Sequence, residues 1–511
     1  MTSPTSTRRP DGPPAAPDHR AGRWRYAAGV AVAAATGYGL LAGWWTPRGP
    51  ISTGQAVAAI GLSLAVGAVA GLAMRSRWSM LLAPVPFVAV FELTRRWTVG
   101  PLVDGIHLTS VYGALAFLSG RGLHGVLALL PMLLGAALGA GAGRVLDGGW
   151  RNRRWWGTAG LWSRRSLTAL LAVGLLAMTA GLLRPARTAA IHDSRGKTLA
   201  GSVAELGRVH VGGHDLSMMI RGDSMSSPVL LYLTGGPGGT DIGALRRHSQ
   251  DLEQDFVVAT YDQRGAGGSY DQLDPTSTLT LANAVSDTVA VSNYLRSRFH
   301  QNKIILVGNS WGSMLGVLAA QAHPELYRAF VGAGQIVDIR ATDRIYYQDT
   351  LAWARRTGKA GLVDTLTGNG PPPYRDSLDY EAVLGHEADV YPYDDTVNDE
   401  SVGGFSTNLF VKEYSLLTQL HNLGAAFDVL TVLYPQLQGI DFRTQVTQLQ
   451  VPVYLVQGGH ETPGRAQPAQ QWFDVLQAPH KELIVCEPCG HRTLFEQPEL
   501  FRQIMIRTVL K

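Results

Sequence analysis

Cysteine is almost missing from this 511-residue sequence: Cys486 and Cys489 are the only two. A multi-bridge disulfide framework is therefore excluded. Their C-x-x-C spacing does not by itself make a zinc site, because four ligands are needed and only His491 stands close by. The pair reads as incidental, or as one local disulfide if this part of the chain is exported, and no metal is expected. Charge of one sign is also scarce, with 44 Lys and Arg against 40 Asp and Glu. The C-terminal part has no basic stripe interleaved with aromatics, so a nucleic-acid partner is not expected. The glycine-rich stretch at 234–239 fits neither G-x-x-x-x-G-K nor G-x-G-x-x-G, which argues against a phosphate or dinucleotide loop there, and no cofactor is implied.

The first third is nearly free of charge between a few arginine-rich breaks. Residues 1–25, rich in Pro, Ser, Thr and Arg, predict a disordered basic tail. Uncharged stretches follow at Tyr26–Pro47, Gly49–Met74, Gly122–Gly143 and Ser166–Leu183. Each is long enough to cross a hydrocarbon core of about 30 Å as a helix, and a cleaved leader would account for only one. Two weaker stretches, Trp78–Phe91 and Gly105–Gly120, complicate the count.

Basic loops stay on the cytoplasmic side. The tail before Tyr26 and the segment holding Arg144, Arg151, Arg153, Arg154, Arg164 and Arg165 should then share a side. That requires an even number of crossings between them, so one weak stretch must span. Five helices over residues 26–184 result, with everything after Leu183 outside the cytoplasm. The region holds no pair of intramembrane charges arranged like a transport path, so it reads as an anchor in a lipid bilayer. Residues 185–200 form a linker.

From residue 201 onward, apolar β-branched runs alternate with helical patterns, which predicts a largely parallel sheet covered by helices. Val229–Leu233 is the first clear buried strand and runs into Thr234-Gly235-Gly236-Pro237-Gly238-Gly239. Phe256–Tyr261 follows, ending in Asp262-Gln263-Arg264-Gly265. A helix over about 282–299 leads to the strand Lys303–Val307 and then to Gly308-Asn309-Ser310-Trp311-Gly312, with Met314–Ala322 helical after it. A G-x-S-x-G between strand and helix is the context of a nucleophile elbow. Gly308 and Gly312 leave room for a tight turn, and Ser310 stands at the positive end of a helix.

A serine hydroxyl needs a base, and the base needs an acid, in the chain order Ser, acid, His. Two late strands, Val451–Gln457 and Glu482–Cys486, end in loops carrying Glu461 and His491. Glu461 is thus the expected acid, with Asp474 and Glu487 as rivals, and His491 the expected base, with His460 as rival. The oxyanion donors are expected to be the backbone N–H groups of Trp311 and of Gly236, with Gly235 the adjacent alternative.

Taken together, T-G-G-P-G-G at 234–239, D-Q-R-G-A-G-G-S at 262–269, G-N-S-W-G at 308–312, and the segments ending at Glu461 and His491 resemble the proline iminopeptidase-like branch of the α/β-hydrolase superfamily. The resemblance covers residues 201–511. It departs from the family at Thr234, where His is usual, and at Glu461, where Asp is usual. It implies an α/β-hydrolase fold with a mostly helical cap inserted over about 338–441, and cap carboxylates that hold the substrate's free amine. The acidic candidates are Glu381, Glu387, Asp389, Asp394, Asp395, Asp399, Glu400 and, on an expected helix, Glu413, although a solvated acidic loop fits them as well.

The leading expectation is a membrane-anchored serine aminopeptidase that releases N-terminal residues, proline among them, from short peptides through an acyl-enzyme. The same serine chemistry would serve an esterase, lipase or thioesterase acting on acyl substrates. A sensor or transporter with a silent hydrolase domain is the alternative of another class, and the intact set of Ser310, Glu461 and His491 argues against it.

Overall fold

The computed structural model describes residues 19–46, 50–97, 102, 105–146, 156–273, 276–393 and 411–510. It divides into two compact units, one from Met1–Thr46, Val57–Trp97 and Val126–Leu176, the other from Pro47–Ala56, Thr98–Gly125 and Ala177–Lys511.

The N-terminal third is helical: α1 (His19–Trp45), α2 (Thr53–Met74), α3 (Pro84–Arg95), α4 (Val111–Phe117), α5 (Leu123–Leu146) and α6 (Trp156–Leu182). The helix α1 starts inside the stretch expected to be disordered, because no proline follows Pro17 to stop it growing back from the apolar run. Residues 1–18 and the arginine-bearing residues 147–155 lie outside the described residues. The weak stretch Trp78–Phe91 becomes Ser79–Leu82 and α3. The other, Gly105–Gly120, becomes α4 and a π-helical turn that runs into α5, so that Val111–Leu146 forms one apolar helix of 36 residues.

Small residues set the packing of this region. A Cβ added at Gly67 or Gly71 on α2 would lie 2.0 Å from the Met132 carbonyl oxygen or 2.3 Å from that of Ala136. Reciprocally, Gly135 and Gly139 on α5 face the carbonyls of Leu64 and Ala68 at 2.1 and 2.2 Å. Two G-x-x-x-G faces thus meet backbone to backbone, the packing used where lipid removes the hydrophobic drive between helices. On α6, Leu170, Val173 and Leu176 are more than 60% exposed, so its apolar side has no protein cover.

The second unit is built on one eight-stranded sheet: β1 (Val203–Val211), β2 (His214–Gly222), β3 (Val229–Leu233), β4 (Val257–Tyr261), β5 (Ile304–Asn309), β6 (Tyr327–Ala333), β7 (Val453–Gly458) and β8 (Lys481–Cys486). The order is β1-β2-β4-β3-β5-β6-β7-β8, parallel from β4 to β8. Every residue of β3, β4 and β5 is buried, which is why these strands read as unbroken apolar runs. The sequence reading missed the antiparallel hairpin β1-β2. Charged residues interrupt both of its strands, and its signal is the Gly212-Gly213 turn.

Helices α7 (Leu281–Arg298) and α8 (Trp311–Ala322) cover the sheet. Thr280 caps α7 by accepting from the Asn283 amide, and Arg296 and Arg298 meet its negative end. Between β6 and β7 lies a mostly helical insertion that opens with α9 (Ile339–Arg356), capped by Asp338, and contains α10 (Leu416–Leu437), capped by Ser415. Although α10 is apolar enough to cross a membrane, its face of Ala425, Val429 and Leu433 is buried on Tyr270, Leu273 and Leu279. Helix α11 (Pro463–Val475) follows β7.

The linker is fastened to this unit. Arg221, itself buried with Glu253, donates to Thr188 Oγ1 and the Ala189 carbonyl, and the Arg187 amide donates to Lys412. The segment before α5 is fastened as well: the Val111 and Tyr112 amides donate to the two oxygens of Glu381 at 3.0 and 2.8 Å.

Candidate active site

Parallel strands deliver their C-terminal loops to one edge of a sheet, and β3, β5, β7 and β8 bring four such loops together here. The turn after β5 is the tightest of them. Ser310 takes φ 54° and ψ −125°, a conformation rare for any residue with a Cβ. Neighbours hold it there: its amide donates to the Ala333 carbonyl at 3.1 Å, and its carbonyl accepts from the Ser313 amide and hydroxyl at 2.8 and 2.5 Å. A Cβ on Gly308 would sit 2.2 Å from the Gly312 oxygen, and one on Gly312 would sit 2.1 Å from the Leu233 oxygen. Helix α8 begins at Trp311, whose amide belongs to the first turn that lacks intrahelical acceptors.

The loop after β3 lies against this turn. Gly235 is the residue in contact with Ser310, since its Cβ position is 3.2 Å from the serine Cβ. Gly236 follows at φ 126°, folding the chain over the amides of Gly238 and Gly239. From the cap, Ala426 and Val429 of α10 close on Gly238.

The loops after β7 and β8 carry the acid and the base. His491 Nδ1 is 2.6 Å from Glu461 Oε2, with the glutamate side chain only 1% exposed. The other oxygen, Oε1, accepts from the Thr462 amide at 2.9 Å and faces Arg465 Nη1 at 3.4 Å. Burial pushes the Glu461 carboxyl up, but His491, Arg465 and the Thr462 amide outweigh it and hold it at about 2. An ionised Glu461 keeps the ring proton on Nδ1, so a neutral His491 offers its lone pair at Nε2. That atom is buried and, among the described residues, has no hydrogen-bond partner, Ser310 Oγ included.

The rivals lie elsewhere. His460 stacks flat on Tyr393 with ring centres 4.3 Å apart, Asp474 accepts from Gln470, and Glu487 is exposed. Cys486 and Cys489 are joined as a disulfide in the loop that leads to Gly490 and His491.

Two residues without acyl-transfer chemistry of their own brace the site. Gln263 accepts from the Trp311 indole N–H at 2.8 Å and donates to the Thr234 carbonyl at 3.2 Å, joining the serine turn to the glycine loop. Asn309 donates to the Ala333 and His491 carbonyls, each at 3.1 Å, joining the serine turn to the histidine loop. Both stand inside motifs quoted from the sequence, but nothing in their identity announces these contacts. Below them, Asp262 is buried and accepts from Thr240, Tyr414 and the Gly268 amide, and Arg264 pairs with Asp287.

The acidic candidates of the cap have partners of their own. Glu381 holds the α4 amides, Glu387 forms a two-bond pair with Arg465 at 2.7 and 3.0 Å, and Asp389 lies 3.0 Å from His386. Glu413 is in the turn before α10 rather than on a helix, buried at 3.7 Å from Arg246. Asp394, Asp395, Asp399 and Glu400 lie outside the described residues.

The sequence carries the deciding comparison, because the model of the alpha/beta hydrolase fold family matches residues 228–498, just over half of the chain. The chain belongs to the α/β-hydrolase family. Among curated proteins, this hydrolase is 28% identical to the probable aminopeptidase YbaC of Bacillus subtilis over 319 residues, 60% of this chain and 96% of that one. It is 26% identical to a probable proline iminopeptidase of Leptolyngbya boryana, over 53% of this chain and 83% of the relative. Among solved structures, a proline iminopeptidase-related protein from Thermus thermophilus aligns over 60% of the hydrolase chain and 99% of its own, with 19% identity and a TM-score of 0.43.

Proposed function

We propose that the protein is a membrane-anchored serine hydrolase that releases N-terminal residues, proline among them, from short peptides. The observation that carries the serine chemistry is the buried Glu461–His491 pair at 2.6 Å, on a loop that Asn309, the neighbour of Ser310, ties to the serine turn. In the reaction, Ser310 Oγ attacks the scissile carbonyl carbon while its proton passes to His491 Nε2. The oxyanion is held by the Trp311 and Gly236 N–H groups, each worth about 10²- to 10³-fold in rate. Collapse expels the amine, which takes the proton from His491. Water, deprotonated by the same nitrogen, then releases the acyl group from the serine. The relatives' names support a peptide substrate.

One observation favours a second reading, an esterase or thioesterase. An aminopeptidase needs a carboxylate for the substrate's ammonium group, and among the described cap candidates Glu381, Glu387, Asp389 and Glu413 are each engaged already. The full chain in detergent would separate the two when given prolyl and aminoacyl amides, the same compounds N-blocked, and acyl esters, with Ser310→Ala as control. Faster turnover of free-amine substrates supports the aminopeptidase. Preference for blocked amides or esters refutes it, and activity surviving undiminished in Ser310→Ala refutes the serine hydrolase.

Membrane anchoring rests on the length of the apolar helices, the exposed apolar side of α6 and the facing G-x-x-x-G pairs. The orientation rests on charge: with the basic tail before Tyr26 and the arginines between 144 and 165 on the cytoplasmic side, one weak stretch must cross, five crossings result, and the hydrolase lies outside the cytoplasm.

A further inference from the structure

Arg465 has no part in the acyl-transfer steps, yet it lies between the acid and the cap. Its side chain is 13% exposed, and its guanidinium is shared by Glu387 at 2.7 and 3.0 Å and Glu461 Oε1 at 3.4 Å. It also stacks over the Tyr346 ring at 5.2 Å. The Tyr346 hydroxyl closes a circuit, 2.6 Å from Thr462 Oγ1 and 3.3 Å from Glu387 Oε1, while the Thr462 amide returns to Glu461. Tyr346 is on α9 and Glu387 begins the short cap helix Glu387–Val390, so two of the five members come from the insertion between β6 and β7.

We infer that Arg465 is a positioning residue for the triad acid, and that through Glu387 it makes the seating of the cap a condition of a competent Glu461–His491 pair. The inference rests on the serine-hydrolase reading given above. A glutamate has one more rotatable bond than an aspartate, so its backbone fixes the carboxylate less firmly. Oε2 is committed to His491, and holding it there falls to the donors on Oε1. The Thr462 amide is a local donor, whereas Arg465 is a planar fork with both arms on Glu387 of the cap, its Nη1 shared with Glu461 Oε1. The sign of the charge matters too. A cation beside Oε1 draws on the same carboxylate that stabilises the His491 imidazolium, and Glu387 draws back on that cation.

Two opposite shifts follow. Removing the cation raises the proton affinity of His491, and removing Glu387 leaves the cation fully turned on Glu461 and lowers it. The test measures the rate at which a fluorophosphonate labels Ser310 in the full chain in detergent, across pH, for wild type, Ser310→Ala, Arg465→Gln, Arg465→Lys and Glu387→Gln. This reads the nucleophile and base without a substrate preference. Arg465→Gln is expected to slow labelling about 10- to 100-fold and move the acid limb to higher pH. Arg465→Lys should give an intermediate rate with the limb nearly in place. Glu387→Gln should move the limb to lower pH. If Arg465→Gln or, should that variant not fold, Glu387→Gln labels at the wild-type rate with an unmoved limb, Arg465 is a structural ion pair only and the inference falls. Failure of wild type to label above Ser310→Ala would instead remove the nucleophile itself, and with it the inference.

Discussion

The indole N–H of Trp311 ends on the side-chain oxygen of Gln263, 2.8 Å away across 48 residues of sequence, with both residues buried. The residue that follows the nucleophile is thereby held by the loop after β4, and that loop also holds Thr234. Gln263→Leu would strand a buried donor and a buried carbonyl, each costing about 1–3 kcal/mol. The expected result is a loss of about 2–6 kcal/mol in chemical denaturation, with turnover falling further than KM rises.

Gly308→Ala should be worse. Its Cβ would meet backbone oxygen and carbon of Gly312 at 2.2 and 2.5 Å, and no rotamer change can relieve a clash with the main chain. A loss of about 4 kcal/mol or more is expected, from overpacking combined with distortion of a constrained turn. A variant melting within a degree of wild type would contradict the packing described here.

Stability should fall at low pH through Glu461. Its folded value of about 2 lies below the ordinary 4.5, so the stabilisation is present above 4.5 and is lost as pH falls from there towards 2. The magnitude is on the order of 3 kcal/mol. In Glu461→Gln the slope of unfolding free energy over that window should flatten, and labelling of Ser310 should fall sharply.

Asp262 works in the opposite sense. Burial raises its carboxyl from 3.8 to about 6 against the hydrogen bonds of Thr240, Gly268 and Tyr414. The folded state then binds the proton more tightly than the unfolded chain, so its contribution is full below about pH 3.8 and declines as pH rises through 6. Asp262→Asn should remove that decline, read as a smaller difference in denaturation midpoint between pH 4 and 7.

For the membrane arrangement, a reporter active only outside the cytoplasm should give signal when fused after Leu183 and none when fused before Tyr26. Signal at Tyr26 with silence at Leu183 would invert the orientation.

Much of the sheet was legible because parallel strands buried on both faces, such as Val229–Leu233, leave unbroken apolar runs. The β1-β2 hairpin escaped because β1 is largely unburied and charged residues, among them Glu205, Arg208, Asp215 and Arg221, interrupt the apolar runs of both strands. Glu461 and His491 could be anticipated as a pair from their loops at successive strand ends. Gln263, Asn309 and Arg465 could not, since their partners lie 24 to 182 residues away or on the cap, and amide and guanidinium groups occur everywhere on protein surfaces. The cap carboxylates could not be sorted from sequence for a related reason. A row of acids in sequence carries no sign of which will meet a cation or a helix end once folded.

The backbone of Ser310 has an evolutionary consequence. At φ 54° a residue branched at Cβ is a severe outlier, so threonine is barred although it carries the same hydroxyl. Cysteine, unbranched like serine, can stand there. Any descendant of this protein that changes its nucleophile while keeping the turn is therefore confined to unbranched side chains, a filter imposed by main-chain shape before reactivity is selected at all.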